Sequence, residues 1–275
     1  MTSKKTGVIG WPVDHSLSPT IHNYWITKHS IDAAEYIKIN IKPQDFEREI
    51  DFLITKEGIS GLNVTVPLKE RAFISSDQLS PVAKTIKAVN TLTVQDSKII
   101  GDNTDALGFE RSLSAETIEK NILHKNCLVL GAGGSSRAII YALHKMEAKL
   151  HVFNRTEEKA IKACADLGVD AEILNLQDLP SVTSNIDLVV NTTSLGLEGE
   201  DNSLIDFSKA KDSMFVYDLI YNPKRTNFLN QAEARGLKSQ NGMKMLIKQA
   251  AASFEIWHNI LPDHSEELEN ILEEV

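Results

Sequence analysis

A glycine-rich turn follows an apolar run in the middle of the chain. The run at 127–130 is uninterrupted, which is typical of a central parallel strand that is covered on both faces. Gly131 and Gly133 come next, Gly134 adds another residue without Cβ, and Ser136 holds the third position of a G-x-G-x-x-G pattern. Such a turn lets backbone N–H groups approach a pyrophosphate at a helix N-terminus. Strand, turn and helix together predict a dinucleotide site.

The end of the next predicted strand indicates which dinucleotide is bound. An NAD site needs an acidic residue there, about 20 residues after the turn, to bind the ribose 2′-hydroxyl. This sequence has Asn154, Arg155 and Thr156 instead, and Lys159 lies one turn later. Because a guanidinium matches a phosphate, we predict NADP rather than NAD. In the alternative interpretation, Thr156 caps a helix while Arg155 and Lys159 are merely solvated; capping is compatible with both.

Polar segments recur at the predicted strand ends and helix starts of the first part of the chain. They are residues 10–23, 63–69, 88–91 and 101–105. Lys69 falls in the first turn of a helix, where a cation opposes the helix dipole and is an unusual choice for solvation alone. Ser18 precedes Pro19, and by itself this pair predicts only an N-cap at a helix start. Each segment alone could be a turn, so only the combination indicates a site.

Strands and helices alternate along both parts of the chain, which predicts an α/β fold with two domains. Strands are expected at 7–9, 34–41, 61–66, 91–94, 98–100, 127–130, 150–153, 187–190 and 215–218. Two later helices are expected, one with an apolar stripe from Met243 to Trp257 and one at 264–275. We predict an N-terminal α/β domain with a mostly parallel sheet and a Rossmann-type NADP domain. The first would comprise residues 1–106 completed by 241–275, and the second residues 107–240.

Composition narrows the class of protein further. The chain has 275 residues, of which 29 are basic and 38 acidic, and the net charge of -9 argues against a nucleic-acid-binding protein. Cys127 and Cys164 have no metal-type spacing and suit a reducing compartment. No long apolar run indicates a membrane segment, and the sequence gives no metal site. We therefore expect a soluble cytoplasmic protein.

The segments together resemble the shikimate dehydrogenase family. The resemblance covers residues 10 to about 257 in family order, and its specific parts are Asn-Val-Thr-Val-Pro-x-Lys at 63–69 and Gly-Asp-Asn-Thr-Asp at 101–105. Further matching segments are 88–91, 131–138, 154–156, 191–196, 221–226 and 241–249. The resemblance implies an oxidoreductase that reversibly reduces 3-dehydroshikimate to shikimate with NADPH, in chorismate and aromatic amino-acid biosynthesis. It also implies that the N-terminal α/β domain is the substrate domain, with the substrate bound in a cleft between this domain and the Rossmann domain.

The resemblance also implies roles for individual residues. Lys69 and Asp105 would be the catalytic pair, with Lys69 as the acid and base. The substrate contacts would be Ser16, Ser18, Asn63, Thr65, Lys69, Asn90, Asp105, Tyr221 and Gln249. The cofactor contacts would be Gly131, Ala132, Gly133, Gly134, Ser135, Asn154, Arg155, Thr156, Lys159, Leu219 and Gly242. The sequence departs from the family where some members carry an acidic cofactor contact, because Ser80 and Pro81 stand there and Pro81 lacks an N–H.

Other functions remain open at this point. Quinate is close to shikimate in structure, and an adaptable site discriminates modestly on one hydroxyl, so use of quinate or of NAD stays possible. A non-catalytic, cofactor-sensing relative would be expected to lack the lysine or the carboxylate, and both are present. A pterin-linked NADP oxidoreductase with a similar two-domain layout is the other alternative.

Overall fold

The chain folds into two compact units, which the computed structural model describes at residues 5–32, 34–197 and 204–274. The first unit contains the residues up to Gly108 and those from Ile247 onward, and the second is Phe109–Leu246. The chain passes from the first unit to the second within the helix Asp105–Ser112 and returns within the helix Met243–His258. The helix that carries the predicted catalytic carboxylate is therefore also one of the two connections between the units.

The first unit is built on one six-stranded sheet. Its strands are β1 (Lys5–Gly10), β2 (Glu35–Asn40), β3 (Ile59–Val64), β4 (Gln78–Leu79), β5 (Thr91–Gln95) and β6 (Lys98–Asp102). Its helices before the second unit are α1 (Ser18–Lys28), α2 (Phe46–Thr55), α3 (Lys69–Ile74), α4 (Pro81–Ile86) and the connecting α5 (Asp105–Ser112). A 3-10 turn at Pro43–Asp45 leads directly into α2.

The sheet order in the first unit is β2-β1-β3-β5-β6-β4. The pairs β1/β2, β1/β3 and β4/β6 are parallel, whereas β3/β5 and β5/β6 are antiparallel. Apolar side chains of α2 and α3 cover one face, with Phe46, Leu68 and Ala72 fully buried. The predicted mostly parallel sheet is therefore present, with two antiparallel pairings, and its strand ends bring together the segments near residues 63, 90 and 102.

The second unit is a parallel sheet with helices. Its strands are β7 (Asn126–Leu130), β8 (Lys149–Phe153), β9 (Ala171–Leu174), β10 (Leu188–Asn191), β11 (Phe215–Asp218) and β12 (Lys238–Gln240). Its helices are α6 (Ala115–Asn121), α7 (Gly134–Lys145), α8 (Glu157–Leu167), α9 (Leu179–Val182) and α10 (Asn227–Ala234). Short 3-10 turns lie at Thr183–Asn185 and Phe207–Lys209.

Every strand pair in the second sheet is parallel, in the order β12-β11-β10-β7-β8-β9. The chain starts in the middle at β7, runs outward to β9, and then returns to the other side at β10, so the order reverses between β7 and β10. In open parallel sheets, ligands bind at the carboxyl ends of the strands on either side of such a reversal. The turn at Gly131–Gly133 lies at that point, directly after β7.

Two helices complete the chain, α11 (Met243–His258) and α12 (Glu266–Glu274). The predicted apolar stripe of α11 is present, and Ile247, Ala250, Phe254 and Trp257 are buried. In α12, Leu268 and Leu272 are the buried residues; the last residue of the tail helix predicted at 264–275, Val275, lies outside the described residues.

The predicted fold class is confirmed. The sequence pattern missed β4 and β12, because strands of two and three residues carry little periodicity. It also missed the edge strand β9, whose four residues are mostly solvent-accessible and form no apolar run. None of the helices in the described ranges combines the length and hydropathy needed to cross a bilayer.

Candidate active site

Lys69 and Asp105 form a buried ion pair in the first unit. Lys69 is the first residue of α3, Asp105 is the first residue of α5, and Lys69 Nζ donates to Asp105 Oδ2 at 2.6 Å. The side chains are 10% and 5% exposed. A buried charge is costly unless it is paired, so the carboxylate compensates for the placement of an ammonium group away from bulk water. The predicted catalytic pair is thus brought together, with a proton donor held at a fixed position.

Asn90 holds the other oxygen of the same carboxylate. Its Nδ2 donates to Asp105 Oδ1 at 2.9 Å and to Gln249 Oε1 at 3.1 Å, and its Oδ1 accepts from the backbone N–H of Thr104 at 2.7 Å. The backbone N–H can only donate, which fixes the orientation of the Asn90 amide. Asp105 is therefore held at one oxygen by Asn90 and at the other by Lys69.

The cluster contains residues that the sequence analysis did not assign to the site. Ser253 is fully buried, and its Oγ lies 2.8 Å from Thr91 Oγ1, 3.2 Å from Thr104 Oγ1 and 2.8 Å from Asn63 Nδ2. Thr104 could have been found in the Gly-Asp-Asn-Thr-Asp segment. Ser253 lies four residues after Gln249 on α11, so helical periodicity places both on one face. We use "polar cluster" for Asn63, Lys69, Asn90, Thr91, Thr104, Asp105, Gln249 and Ser253.

Ser16 and Ser18 form a separate pair at the front loop, where Ser16 Oγ accepts from the Ser18 N–H at 3.3 Å. The capping interpretation of Ser18 is wrong, because Leu17 occupies the N-cap and makes no side-chain cap. Ser18 is instead the buried first residue of α1. Asn40 at the end of β2 fixes the loop, since its Oδ1 accepts from the Val13 N–H at 2.9 Å.

Thr65 lies on the short connection between β3 and α3, half-buried, and its N–H donates to Ile9 O at 2.9 Å. Ser80, where the sequence departs from the family, is the N-cap of α4. Its Oγ accepts from the Ala83 N–H at 3.1 Å and donates to Asp102. Ser80 therefore has a local structural role that does not need a cofactor, and Pro81 is the first residue of α4.

The glycine turn of the second unit has the geometry that a pyrophosphate requires. Gly131 has φ +117°, and a Cβ there would lie 2.5 Å from Thr192 Oγ1. A Cβ on Gly133 would meet no atom within 4 Å, so the space before α7 is open. That helix is 12 residues long, and its N-terminus attracts anions. A dinucleotide phosphate therefore fits beside Ala132, Gly133, Gly134 and Ser135.

The segment after β8 carries exposed cations. Arg155 and Lys159 are exposed, and Asn154 shapes the segment because its Nδ2 donates to Thr156 O at 2.7 Å. Thr156 occupies the N-cap of α8, but its side chain makes no cap hydrogen bond. The capping role expected for the Thr156 hydroxyl is therefore wrong, and Arg155 and Lys159 have the charge that a 2′-phosphate needs.

Leu219, Tyr221 and Gly242 belong to the carboxyl end of the second sheet. Gly242 packs directly against the segment after β11, where a Cβ would lie 2.0 Å from Leu219 O. Its N–H also donates to Ile220 O at 3.1 Å. Glycine is thus required at 242 for backbone packing, which the resemblance alone did not indicate.

Asp218 is a buried carboxylate of the second unit that the sequence analysis did not single out. It accepts hydrogen bonds from Thr226 Oγ1 at 2.6 Å, from Asn191 Nδ2 at 3.0 Å and from the Ile220 N–H at 3.1 Å. Burial raises the pKa of Asp218 to about 6, and these donors limit the rise. Asp218 thereby joins β10, β11 and α10 around the Leu219–Tyr221 segment.

Comparison with known proteins identifies the family. The family model for the shikimate dehydrogenase substrate binding domain matches residues 8–92, and the model for shikimate / quinate 5-dehydrogenase matches residues 113–224. The chain belongs to the shikimate dehydrogenase family. A relative from Pelagibacter ubique, named shikimate dehydrogenase (NADP(+)), is 43% identical over 97% of this chain and 97% of its own length.

Solved structures of the family have the same fold. Shikimate dehydrogenase from Aquifex aeolicus superposes with a TM-score of 0.88 at 37% identity, covering 98% of this chain and 97% of that one. The Thermus thermophilus enzyme, solved with NADP(H) and shikimate, gives a TM-score of 0.87 at 33% identity, covering 99% of this chain and 100% of that one. The predicted family is confirmed, and the NADP prediction agrees with the names of these relatives.

Proposed function

We propose that this member of the family catalyses the reversible, NADPH-dependent reduction of 3-dehydroshikimate to shikimate, within chorismate and aromatic amino-acid biosynthesis. The observation that supports this most strongly is the buried pair of Lys69 and Asp105, with 2.6 Å between Nζ and Oδ2, inside a cluster of amide and hydroxyl groups. Such a cluster suits a ring with several hydroxyls, since amides and hydroxyls both donate and accept.

Lys69 supplies the proton for the ketone oxygen. When NADPH is bound, its nicotinamide supplies the hydride to the carbonyl carbon. Negative charge then develops on the oxygen, and the Lys69 ammonium stabilises it and transfers a proton to it. In the oxidation of shikimate, the Lys69 amine accepts that proton from the hydroxyl. Asp105 keeps Nζ in place during both directions.

The other predicted residues hold the two ligands. Ser16 and Ser18 bind the substrate carboxylate with hydroxyl donors, and Asn63, Thr65, Asn90, Tyr221 and Gln249 contact the rest of the substrate. For NADP, Gly131, Ala132, Gly133, Gly134 and Ser135 accommodate the pyrophosphate at the start of α7. Asn154, Arg155, Thr156 and Lys159 bind the 2′-phosphate end, and Leu219 and Gly242 line the nicotinamide end.

Each of the two domains predicted from the sequence binds one ligand in this proposal. Residues 1–106, completed by 241–275, bind the substrate and carry Lys69 and Asp105, and residues 107–240 bind NADP. The two thiols support a cytoplasmic location, since Cys127 and Cys164 are both buried and unpaired with each other. We propose a monomer or a homodimer as the functional state.

Reduced-nicotinamide absorbance tests the proposal on the purified chain. Shikimate and quinate are each mixed with NADP and with NAD, giving four reactions. We expect strong turnover with shikimate plus NADP alone. Comparable rates with quinate or NAD would change the assignment to a broader quinate/shikimate dehydrogenase. Absence of turnover in all four reactions, with tight NADP binding, would contradict the proposed activity and favour a sensor or a pterin-linked enzyme.

A further inference from the structure

The amide of Asn63 has one allowed orientation in the polar cluster. Its nitrogen lies 3.2 Å from Asn90 O and 2.8 Å from Ser253 Oγ, and its oxygen lies 2.7 Å from the Tyr36 hydroxyl. A backbone carbonyl can only accept, so the NH2 group must face Asn90 O. The oxygen therefore faces Tyr36, and the Tyr36 hydroxyl must donate to it.

Tyr36 is itself fixed at its backbone and its ring. Its N–H donates to Asn23 Oδ1 at 3.0 Å, and Asn23 Nδ2 donates back to Tyr36 O at 2.9 Å. The ring stacks on His22, with centroids 4.1 Å apart and planes at 4°. His22 and Asn23 end the front polar segment, where the proposed function gives them no role. Their contacts show that both residues hold Tyr36 in place.

The imidazole ring of His22, on which the Tyr36 ring stacks, is uncharged. Burial lowers the pKa of His22 to about 3, and the neighbouring His258 lowers it too. Asn63 lies beside the ring and opposes the fall in pKa, although neither ring nitrogen of His22 completes a hydrogen bond among the described residues. The imidazole is therefore uncharged at working pH and does not compete with Tyr36 as a charged donor.

We propose that Tyr36 is a positioning residue for the substrate site, which fixes Asn63 so that its amide meets the substrate as a hydrogen-bond acceptor. Both amide hydrogens of Asn63 are directed at the protein acceptors around Asn90 O, Thr91 Oγ1 and Ser253 Oγ. The oxygen has two lone pairs, and Tyr36 uses one of them. The substrate group at Asn63 must then be a donor, such as a ring hydroxyl, and a carbonyl or ether there is disfavoured.

This inference rests on the proposed function, and a double-mutant cycle tests it. The proteins are wild type, Tyr36→Phe, Asn63→Ala and the double variant, assayed with shikimate and NADP. Tyr36→Phe keeps the ring on His22 and removes only the donor. We expect the KM for shikimate to rise about fivefold to tenfold, as for one lost hydrogen bond, with the KM for NADP unchanged. In the Asn63→Ala background the same change should have less than about twofold effect, because the two residues act as one unit.

Tyr24→Phe is the matched control on α1, because its hydroxyl lies 2.9 Å from Ser265 Oγ, outside the polar cluster. It should leave both KM values unchanged. If Tyr36→Phe fails to fold, Ser253→Ala tests the nitrogen side of the same amide with the same expected pattern. Two results would overturn this inference while leaving the proposed function intact, provided that the wild type turns over shikimate. One is a KM for shikimate that Tyr36→Phe leaves unchanged, and the other is an effect of Tyr36→Phe that is equally large with and without Asn63→Ala. No shikimate turnover by the wild type would overturn the proposed function and the inference with it.

Discussion

The two units use different physical means to form their candidate sites. In the first, the polar cluster consists of buried side chains, and Asn63, Asn90 and Asp105 each have several hydrogen-bond partners. In the second, the turn at Gly131 and Gly133 offers backbone and open space, and the nearby cations are exposed. The polar cluster therefore offers hydrogen bonds of fixed direction, whereas the glycine turn and its nearby cations offer a matching shape, a helix dipole and charge.

The difference follows from what each site binds in the proposed function. A small ring with hydroxyls can be recognised only by donors and acceptors with fixed directions, and in a buried cluster every unsatisfied group is costly. A phosphate carries full charge and accepts in many directions, so a helix N-terminus and exposed cations suffice. Substitutions should accordingly have large effects in the polar cluster and smaller, salt-dependent effects at the exposed cations.

The largest effect should come from Lys69→Met, which removes the ammonium while keeping an unbranched side chain. We expect kcat to fall by about 10² to 10⁴, as for loss of a positioned acid and base. Steady-state kinetics in both directions measure the change. Asp105→Asn should also impair turnover, because Asp105 fixes Lys69 Nζ. A kcat for Lys69→Met within a few-fold of wild type would refute the assigned role.

A second test concerns Asp218, whose hydrogen-bond donors among the described residues are neutral, whereas Asp105 faces an ammonium group. The pKa of Asp218 is raised to about 6 from an ordinary 3.8, so between these values the folded state keeps a proton that the unfolded chain loses. Stability therefore falls as pH rises through this window. The rise in the pKa of Asp218 from 3.8 to about 6 corresponds to about 3 kcal/mol of unfolding free energy.

Asp218→Asn removes this titration and nearly keeps the shape. As pH rises from about 4 to about 6, the free energy of unfolding of the wild type should fall relative to that of Asp218→Asn, and the difference should be constant above pH 6. Urea unfolding at several pH values measures it. Parallel curves for the two proteins would show that Asp218 does not titrate in this range.

Arg155→Ala tests the second unit, in which the cations near the proposed NADP site are exposed. Removal of the guanidinium should raise the KM for NADP about tenfold and leave the KM for NAD within about twofold, since only NADP has the 2′-phosphate. Added salt should reduce the difference between variant and wild type, because exposed charges are screened. Arg48→Ala, an exposed cation of α2, is the control. Equal effects on NADP and NAD would contradict the assignment.

The smallest effect concerns two helix caps in the second unit. Ser114 caps α6 through a hydrogen bond from the Thr117 N–H at 3.0 Å, whereas the Thr156 side chain makes no such bond at α8. Ser114→Ala should cost about 1 kcal/mol of unfolding free energy, and Thr156→Ala only a few tenths. Any larger effect of Thr156→Ala should appear in the KM for NADP. A similar loss of stability in both variants would show that Thr156 does cap its helix.

The sequence predicted the strongly patterned parts of the fold and of the candidate site. An uninterrupted apolar run predicted β7, because central parallel strands are covered on both faces, and the alternation of strands and helices predicted β10 and β11. The pairing of Lys69 with Asp105 came from the resemblance to the shikimate dehydrogenase family, because the two segments taken singly predict only turns. The failures were local: Leu17 rather than Ser18 is at the N-cap of α1, since boundary positions depend on the turn geometry that the whole loop adopts.

The sequence by itself determined the family, the α/β class and the residue types available for chemistry, because periodicity, turn residues and short motifs are properties of neighbouring residues. Only the tertiary structure brought Tyr36, Asn63 and Ser253 together, since they come from β2, β3 and α11. It also determined the pKa directions of His22 and Asp218, because burial depends on what packs around a side chain. Long-range contacts and burial are set by how the elements pack, which no local pattern encodes.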